Sequence, residues 1–355
     1  MRAMKLINNY NLNGFSIPSR YFLAPINTGF TEDGQPSDKL VAFHELRSGH
    51  GIGVSYVGNV AIHQRLVTND RTAYFKLEDF SVWSNITNKI SLNGSLPGIQ
   101  LGCRASQIPP MRESKSTLVS DYINAASNEF CNYNDTYLKE IINYYIDAAV
   151  ISWKVGFKVI QIHAAHGYLL SLSLSKSFNK RSDKYGDRTY LLEKIIRGIK
   201  KKIPESILDV RISYYEGICD KEYEEKDKNR LIEKIAEMDI DIISISGGIY
   251  NVDKYLIYPK INDEHAIYEQ IAIKFAKKYP KIHWNVAGNI YDIQKLKGRN
   301  IRNLTYSICR SLIADNCFIE KSLNYNIKAI KTCERCNRCH YYSNSEDNLS
   351  GCLFR

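Results

Sequence analysis

The sequence contains no long apolar run. None of its stretches approaches the roughly 20 consecutive apolar residues that a membrane-spanning helix needs. The N-terminal stretch MRAMKLINNYNLNG also lacks the apolar core that a secretory signal requires. We therefore expect a cytoplasmic protein with no membrane partner.

The chain also lacks an internal linker rich in Pro, Gly or Ser, and no low-complexity tract interrupts it. Its 355 residues are enough for one large α/β barrel or for two ordinary domains. Hydrophobic residues make up 44% of the chain, which supports a sizeable core and argues against disorder. The composition thus favours a folded unit that is not divided along most of the chain.

A concentrated basic surface is missing as well. The net charge is +10 and the isoelectric point is about 9.0, yet the basic residues are mostly Lys scattered among Asn, Ile and Tyr. Because they form no stripe with interleaved aromatic residues, we expect a solvated Lys-rich surface and no nucleic-acid partner. An attraction for phosphorylated or CoA-type substrates is the alternative use of this charge.

Eight short apolar runs suited to buried parallel strands recur along the chain, separated by amphipathic stretches of helical length. In one such stretch, residues 137–156, Ile141, Tyr145 and Ala148 share a helical face. No G-x-G-x-x-G pattern follows the first run, which argues against a dinucleotide-binding doubly wound sheet. The alternation predicts an α/β fold, a (β/α)8 TIM barrel. The predicted strands are residues 21–26, 52–60, 96–102, 158–163, 208–213, 240–247, 282–289 and 303–309.

The alternation of strands and helices ends near Ser322, and cysteine becomes frequent after it. Four of the nine cysteines lie at positions 333, 336, 339 and 352. We therefore predict a barrel domain over residues 1–322 and a short Cys-rich C-terminal appendage over residues 323–355. In a cytoplasmic chain, such a group of cysteines indicates metal binding before disulfides.

His163, His166 and Tyr168 lie close together in QIHAAHGYLL, directly after the fourth predicted strand. Catalytic groups of a TIM barrel occupy the C-terminal ends of the strands and the loops that follow. With a glycine at position 167, both imidazoles can point into one barrel mouth while the tyrosine reaches over it. The alternative is a pair of loop histidines satisfied by backbone carbonyls. Because titratable groups cluster at functional sites, we interpret the three residues as catalytic.

The histidine cluster belongs to a longer stretch, IQIHAAHGYLLSLSLSKSFNKRSDKYGDR, and five shorter stretches accompany it: FLAPINTGF, GIQLG, VRIS, VAGNI and SICRSLIAD. Together they resemble the signature and the flavin-site segments of the old yellow enzyme family of FMN-dependent oxidoreductases. The resemblance spans most of the chain. The Asn27-Thr28-Gly29 turn and the Cys-rich tail are most similar to the branch that contains 2,4-dienoyl-CoA reductase and 2-enoate reductase.

This resemblance implies an FMN site. The Gln100 amide would bind N3 and O2 at the pyrimidine edge of the flavin. The Arg211 guanidinium would stabilise the negative charge near N1 of the reduced flavin. The loops after strands seven and eight would hold the phosphate, which is the usual phosphate site of a barrel. The residues implied as cofactor-binding are Pro25, Ile26, Asn27, Gly58, Gln100, Arg211, Gly288, Asn289, Cys309 and Arg310.

The same resemblance implies the catalytic roles. His163 and His166 would donate hydrogen bonds to a substrate carbonyl oxygen and so polarise a conjugated C=C bond, to which hydride from flavin N5 adds at the β carbon. Tyr168 would protonate the α carbon as a general acid. The expected substrate is a small α,β-unsaturated carbonyl compound: an enoate, an enone or an enoyl thioester.

The sequence departs from the family pattern at several positions. Residues 171–176 read SLSLSK where the family continues Ser-Gln-Phe-Leu-Ser-Pro, and Cys309 replaces the glycine before the phosphate-loop arginine. An FMN-dependent amine dehydrogenase or demethylase of the same superfamily, or a degenerate flavin-binding protein without activity, are therefore alternatives. A tRNA-dihydrouridine synthase is disfavoured, because the motif and the tail supply neither its catalytic cysteine nor its RNA-binding appendage.

The tail reads CERCNRCHYYSNSEDNLSGC, in which Cys333, Cys336 and Cys339 have C-x2-C-x2-C spacing and Cys352 follows. This pattern suits a [4Fe–4S] cluster. Zinc bound by four Cys, or by three Cys and His340, and a tail of free thiols are the alternatives. The larger reductases of the resembling branch continue into an FAD- and NAD(P)H-binding half. The printed sequence ends soon after Cys352, so we expect either an electron-donor protein or direct reduction by NAD(P)H. The oligomeric state stays open.

Overall fold

Eight parallel strands close into a barrel in this computed structural model, which describes residues 9–77, 79–104, 118–260, 262–337, 339 and 352. The predicted (β/α)8 TIM barrel is confirmed. In chain order the strands are β1 (Tyr10–Leu12), β2 (Phe15–Ile17), β3 (Tyr21–Leu23), β4 (Thr31–Glu32), β5 (Gln35–Pro36), β6 (Val54–Ala61), β7 (Leu96–Gly102), β8 (Val159–Ala164), β9 (Ile207–Ser213), β10 (Ile242–Ser246), β11 (His283–Ala287) and β12 (Leu304–Ile308). The barrel consists of β3 and β6 to β12, and β12 pairs with β3 to close it.

Helices surround the barrel. They are α1 (Asp38–Arg47), α2 (Ser81–Leu92), α3 (Val119–Asn132), α4 (Asp135–Lys154), α5 (Leu169–Leu174), α6 (Tyr190–Lys202), α7 (Lys221–Ala236), α8 (Glu269–Lys278), α9 (Arg310–Ala314) and α10 (Phe318–Leu323). In α4 the side chain of Asn134 caps the first turn, and the predicted face of Ile141, Tyr145 and Ala148 is buried. Helix α6 ends with three lysines, whose charges are favourable at a helix C-terminus.

The strand prediction differs from the structure mainly at the first barrel strand. It was expected over residues 21–26 but ends at Leu23. Pro25 has no backbone N–H for a ladder, and Ile26 forms only an isolated antiparallel bridge with Gly58. The other seven predicted strands are confirmed to within two residues at each end. The two short hairpins, β1–β2 and β4–β5, were not predicted.

The β1–β2 hairpin closes the N-terminal end of the barrel. Tyr10, Leu12 and Ile17 are buried there against apolar side chains at the beginnings of barrel strands, such as Val54 and Val159. Burial of this apolar surface stabilises the hairpin, which is too short to be stable alone. The opposite end, where the strands finish, carries the cleft described below.

From residue 324 to residue 337 the chain crosses the C-terminal end of the barrel without regular strands or long helices. A short 3-10 turn covers Ile327–Ala329, and residues 331–337 follow in irregular conformation. The division into residues 1–322 and 323–355 stays a prediction. No helix within the described part of the chain is long and apolar enough to span a membrane.

Candidate active site

One cleft at the C-terminal ends of the strands brings nearly all predicted site residues together. It contains about 1130 Å³ of empty space, part of which is open to solvent. Gly58, Cys336 and Cys352 are the predicted residues that do not line it. The predicted residues that do are Pro25, Ile26, Asn27, Gln100, His163, His166, Tyr168, Arg211, Gly288, Asn289, Cys309, Arg310, Cys333 and Cys339.

The end of β8 and the turn after it position the three catalytic candidates. Side chains alternate along a strand, so His163 shares the interior face with Gln161. His166 follows in the left-handed region with φ of +64°, and Gly167 continues it with φ of +87°. A Cβ atom on Gly167 would lie 2.7 Å from Cγ2 of Ile249, so this turn requires glycine.

The rings of the three residues contact one another. The centroids of His163 and His166 are 5.0 Å apart, and those of His163 and Tyr168 are 4.6 Å apart, both edge to face. The hydroxyl of Ser213 accepts the backbone N–H of His166 at 2.9 Å, which fixes the turn against β9. All three side chains are at least nine-tenths buried. The predicted cluster is therefore assembled at the mouth of the barrel.

Both histidines are neutral at pH 7. Burial, and secondly the charge of Arg211, holds the pKa of each imidazole well below its usual value. In His163, Nδ1 accepts the backbone N–H of Ala165 at 3.4 Å. The single ring proton therefore lies on Nε2, which can donate to a ligand.

Arg211 projects from β9 into the same cleft. Its Nη2 donates to Ser246 Oγ at 3.1 Å, and the same hydroxyl lies 2.9 Å from Nε2 of His166. Burial lowers the pKa of the guanidinium, while the carboxyl of Asp209 acts in the opposite direction. An arginine stays protonated under such conditions, so it is a fixed cation beside the histidines.

Gln100 is held by a layer of polar side chains inside the barrel. Its Nε2 donates to Oε1 of Gln161 at 2.6 Å, and Nε2 of Gln161 donates to the carboxylate of Asp209 at 2.5 Å. Tyr56 and Ser244 also donate to Asp209. Burial raises the pKa of Asp209 from 3.8 to about 6. This chain of donors fixes the amide of Gln100, whose Oε1 is left to accept a hydrogen bond from a ligand.

Gly58 supports Gln100 rather than lining the cleft. Its φ is +149°, and a Cβ atom there would lie 2.9 Å from both Cβ and the carbonyl oxygen of Gln100. Only glycine allows β6 and β7 to approach this closely. The adjacent Asn59 reaches the cleft instead. Gly58 thus acts on the position of Gln100 through the backbone.

The loops after β11 and β12 form a basic end of the cleft. Asn289 Nδ2 donates to the carbonyl oxygens of Asp263 and Glu264, which leaves its Oδ1 facing Arg310 at 3.5 Å. Arg310 Nη1 donates to Pro259 O at 2.7 Å. Burial raises the pKa of Cys309 to about 11, so its thiol stays neutral. This end suits an anion, although the Cys309 side chain occupies space that glycine would leave open.

The sequence analysis missed several residues of this cleft. Tyr250 and Tyr258 join their hydroxyls at 2.9 Å, and the ring of Tyr250 lies 6.1 Å from that of His166. Arg335 enters from the tail. These residues lie in loops without a distinctive local pattern, so only the folded barrel brings them to the site. Ser246, whose hydroxyl contacts Arg211 and His166, could have been predicted, because it is the last residue of a buried strand.

The tail cysteines are only partly brought together. Cys333 and Cys339 line the cleft, whereas Cys336 is exposed. Within the described residues, the group whose ligand atoms all lie within 4.8 Å of one another is His50, Cys317 and Glu320, not the tail cysteines. The described cysteines of the tail therefore do not hold their sulfur atoms close enough together for a single zinc ion. In a four-iron cluster the cysteine sulfur atoms lie farther apart than around one zinc ion, because each thiolate binds a different iron atom. His340 lies outside the described residues.

The unsatisfied polar atoms of the structure fit a bound polar cofactor. Five buried side-chain atoms of the described residues lack a hydrogen-bond partner. Three of them, Nε of Arg211, Nε of Arg335 and Oγ of Ser307, belong to residues that line the cleft. Buried polar atoms are normally paired, so their concentration here indicates that a ligand supplies the partners. Both arginines are suited to a flavin with a phosphate group.

A buried cation beside the barrel mouth and an anion site after the last two strands are features that a flavin-dependent oxidoreductase requires. The sequence profile of the NADH:flavin oxidoreductase / NADH oxidase family matches residues 12–328, and the chain belongs to this family. This match confirms the predicted membership of the old yellow enzyme family.

Relatives and solved structures agree with this assignment. The NADH-dependent flavin oxidoreductase nadA of Aspergillus parasiticus is 28% identical over 264 residues, covering 66% of this chain and 58% of its own. The NADH oxidase of Thermoanaerobacter brockii is 25% identical over 354 residues, covering 94% of this chain and 52% of its own. The chain therefore spans little more than half the length of these two relatives.

Three solved structures share the fold. A 2-naphthoyl-CoA reductase in complex with 2-naphthoyl-CoA has a TM-score of 0.82 at 17% identity, over 99% of this chain and 56% of its own. Histamine dehydrogenase from Rhizobium sp. 4-9 has a TM-score of 0.75 at 18% identity, over 94% and 50%. The old yellow enzyme homologue of Zymomonas mobilis has a TM-score of 0.71 at 19% identity, over 93% and 94%. At these identities the likeness concerns the fold.

Proposed function

We propose that the protein reduces the C=C bond of an α,β-unsaturated carbonyl substrate. The observation that carries this proposal is the group of two neutral histidines and a tyrosine beside Arg211 in one cleft. Bound FMN would supply the hydride for this reaction. Gln100 would hold the pyrimidine edge of the flavin, Arg211 its N1 region, and the basic end of the cleft its phosphate.

The histidines polarise the substrate carbonyl. The Nε2–H of His163 donates to the carbonyl oxygen, with the His166 ring, 5.0 Å away between centroids, as the second donor. Since both rings are neutral and buried, they stabilise developing enolate charge without giving up a proton. Placing the donors in a buried mouth strengthens this effect, because water does not screen it.

Tyr168 supplies the proton to the α carbon. Its ring packs on His163 with a centroid distance of 4.6 Å, so its hydroxyl is held over the same mouth. A phenol is a suitable general acid toward an enolate carbon, and positioned proton transfer of this kind contributes about 10²- to 10⁴-fold to a rate.

The cleft favours a carbonyl over an amine as the substrate. No Asp or Glu occurs among the described residues that line it, whereas Arg211, Arg310 and Arg335 do. A protonated amine would meet cations and find no carboxylate partner there. The fold likeness to histamine dehydrogenase nevertheless makes amine oxidation the second candidate function.

An enoyl thioester is the substrate that we propose within this class. The fold neighbour in complex with 2-naphthoyl-CoA carries a conjugated thioester, and the net charge of +10 suits the phosphates of CoA. The aromatic rings of Tyr250 and Tyr258 provide a wall for a flat conjugated acyl group. The electrons would come from NAD(P)H, or from an electron-donor protein through a [4Fe–4S] cluster on Cys333, Cys336, Cys339 and Cys352.

Tyr168→Phe tests the proposal, because it removes the acid and keeps the ring. We expect reduction of the bound flavin by NAD(P)H to stay unchanged, while reoxidation by an enone slows by about 10²- to 10⁴-fold in anaerobic stopped-flow measurements. Tyr325→Phe, at an exposed position after α10, is the matched control. Equal rates of reoxidation in wild type and Tyr168→Phe would rule out this role for the tyrosine.

A further inference from the structure

Arg335 is brought into the cleft by the cysteine-rich tail. It lies between Cys333 and Cys336 in the sequence, and its backbone N–H donates to Sγ of Cys333 at 3.3 Å. Its φ of +52° turns the chain so that the side chain enters the cleft while Cys336 stays exposed. A residue of the appendage thereby becomes part of the barrel's cofactor pocket.

Two guanidinium groups meet at one side chain of the phosphate end. Nη1 of Arg335 lies 3.4 Å from Oδ1 of Asn289, and Nη2 of Arg310 lies 3.5 Å from the same oxygen. The Arg335 guanidinium is stacked on the ring of Tyr291, 4.0 Å from its centroid. This stacking orients the planar donor group and shields one of its faces from water.

Neither cation is neutralised by a carboxylate of the described residues. No ion pair among the described residues includes Arg310 or Arg335. Nε of Arg335 is buried and lacks a hydrogen-bond partner. Two like charges held this close repel each other, so the arrangement is stabilised by a group that carries two negative charges and several acceptor oxygens. A phosphate monoester has both properties.

The tail also positions the first arginine. Oδ1 of Asn337 accepts a hydrogen bond from Nη1 of Arg310 at 2.7 Å, and Nδ2 of Asn337 donates to the carbonyl oxygen of Tyr258 at 3.3 Å. Residues 333–337 are therefore tied to the phosphate end through Arg310 as well as through Arg335. The barrel loop alone supplies only one of the two guanidinium groups.

We propose that Arg335 is the second phosphate-binding cation of this protein, and that the phosphate monoester it binds is that of FMN. This inference rests on the proposed FMN site. The tail thus acts as a strap whose arginine closes the phosphate end of the cofactor pocket. A CoA-type substrate carries the same chemical group, so the experiment must separate these two sources.

Arg335→Gln tests the inference by flavin binding to the deflavinated full-length protein, measured by quenching of flavin fluorescence. We expect the Kd for FMN to rise about 10- to 100-fold, the effect of losing one charge-assisted hydrogen bond. The Kd for riboflavin, which lacks the phosphate, should not change. Arg335→Lys should recover part of the FMN affinity. Arg197→Gln, which alters an exposed arginine of α6, is the control.

Three outcomes would overturn the inference. Unchanged FMN binding in Arg335→Gln would show that the guanidinium does not touch the phosphate. An equal loss for FMN and riboflavin would assign Arg335 a purely structural role. Unchanged FMN binding together with a raised KM for an enoyl-CoA, but not for a simple enone, would assign the phosphate to the substrate. If Arg335→Gln weakens FMN binding but not riboflavin binding, and the wild-type protein does not turn over an enone, the result would contradict the proposed function and leave this inference intact.

Discussion

At the residue scale, Asp209 is a buried group whose charge depends on pH. It lies beneath the cleft and accepts hydrogen bonds from Gln161, Tyr56 and Ser244. Burial nevertheless raises its pKa from 3.8 to about 6, so the folded protein favours the protonated form. Between about pH 4 and pH 6 the folded state holds a proton that the unfolded state has lost. The contribution of this group to stability therefore falls as the pH rises through that window.

Asp209→Asn removes this titration. The free energy of unfolding of wild type, relative to the variant, should fall by up to about 3 kcal/mol between pH 4 and pH 7, because one pKa unit corresponds to about 1.4 kcal/mol. Urea unfolding of both proteins at several pH values measures this difference in the free energy of unfolding. The contributions of the other titrating groups cancel in it. A difference that is constant with pH would contradict the raised pKa.

At the scale of secondary-structure elements, a buried ion pair ties helix α7 to the loop after β9. Lys228 of α7 contacts Glu216, and both side chains are almost fully buried. Ser175, which follows α5, donates to the other carboxylate oxygen of Glu216 at 2.7 Å. Glu224 accepts four backbone N–H groups of the same loop. The loop after β9 is therefore held by two charged side chains of α7 and by the hydroxyl of Ser175.

Lys228→Met should destabilise the protein by about 3–5 kcal/mol, because it leaves the Glu216 carboxylate buried without its partner. Chemical denaturation at pH 7 measures the loss. Lys278→Met, which breaks the exposed pair with Glu233, should have a much smaller effect. If the two variants lose equal stability, the buried pair is not the stronger contact.

The elements were also the most predictable part of the fold. Seven of the eight barrel strands follow from runs such as VIQIHA, whose residues are all buried, since a parallel strand covered on both faces has a continuous apolar pattern. The β1–β2 and β4–β5 hairpins have strands of two or three residues, too short to give a pattern. The end of β3 before Pro25 could have been predicted, because proline has no backbone N–H to donate to the neighbouring strand.

For the site, the sequence predicted residues that strand position or the family resemblance indicates, and it missed loop residues that neither of these indicates. His163, Gln100 and Arg211 follow from strand position and family resemblance, and the structure places all three in the cleft. Tyr250 and Arg335 reach it through loop and tail conformations that long-range contacts determine. No spacing rule in a single sequence carries that information.

At the scale of the whole molecule, the barrel unites the two ends of one cofactor pocket. The catalytic turn comes from β8, near the middle of the chain, and the phosphate end comes from β11, β12 and the tail. The β1–β2 hairpin blocks the opposite end of the barrel. The proposed hydride transfer, carbonyl polarisation and protonation would therefore all take place at one mouth.

An anaerobic spectrum of the purified full-length protein tests this account most directly. The flavin band should bleach when NADH or NADPH is added and should recover after one equivalent of a simple enone. The product should be the saturated carbonyl compound. Two results together would contradict ene reduction and support amine oxidation. The enone would fail to reoxidise the reduced flavin, and a methylamine substrate would reduce the oxidised flavin. A protein without a flavin band would contradict the cofactor site itself.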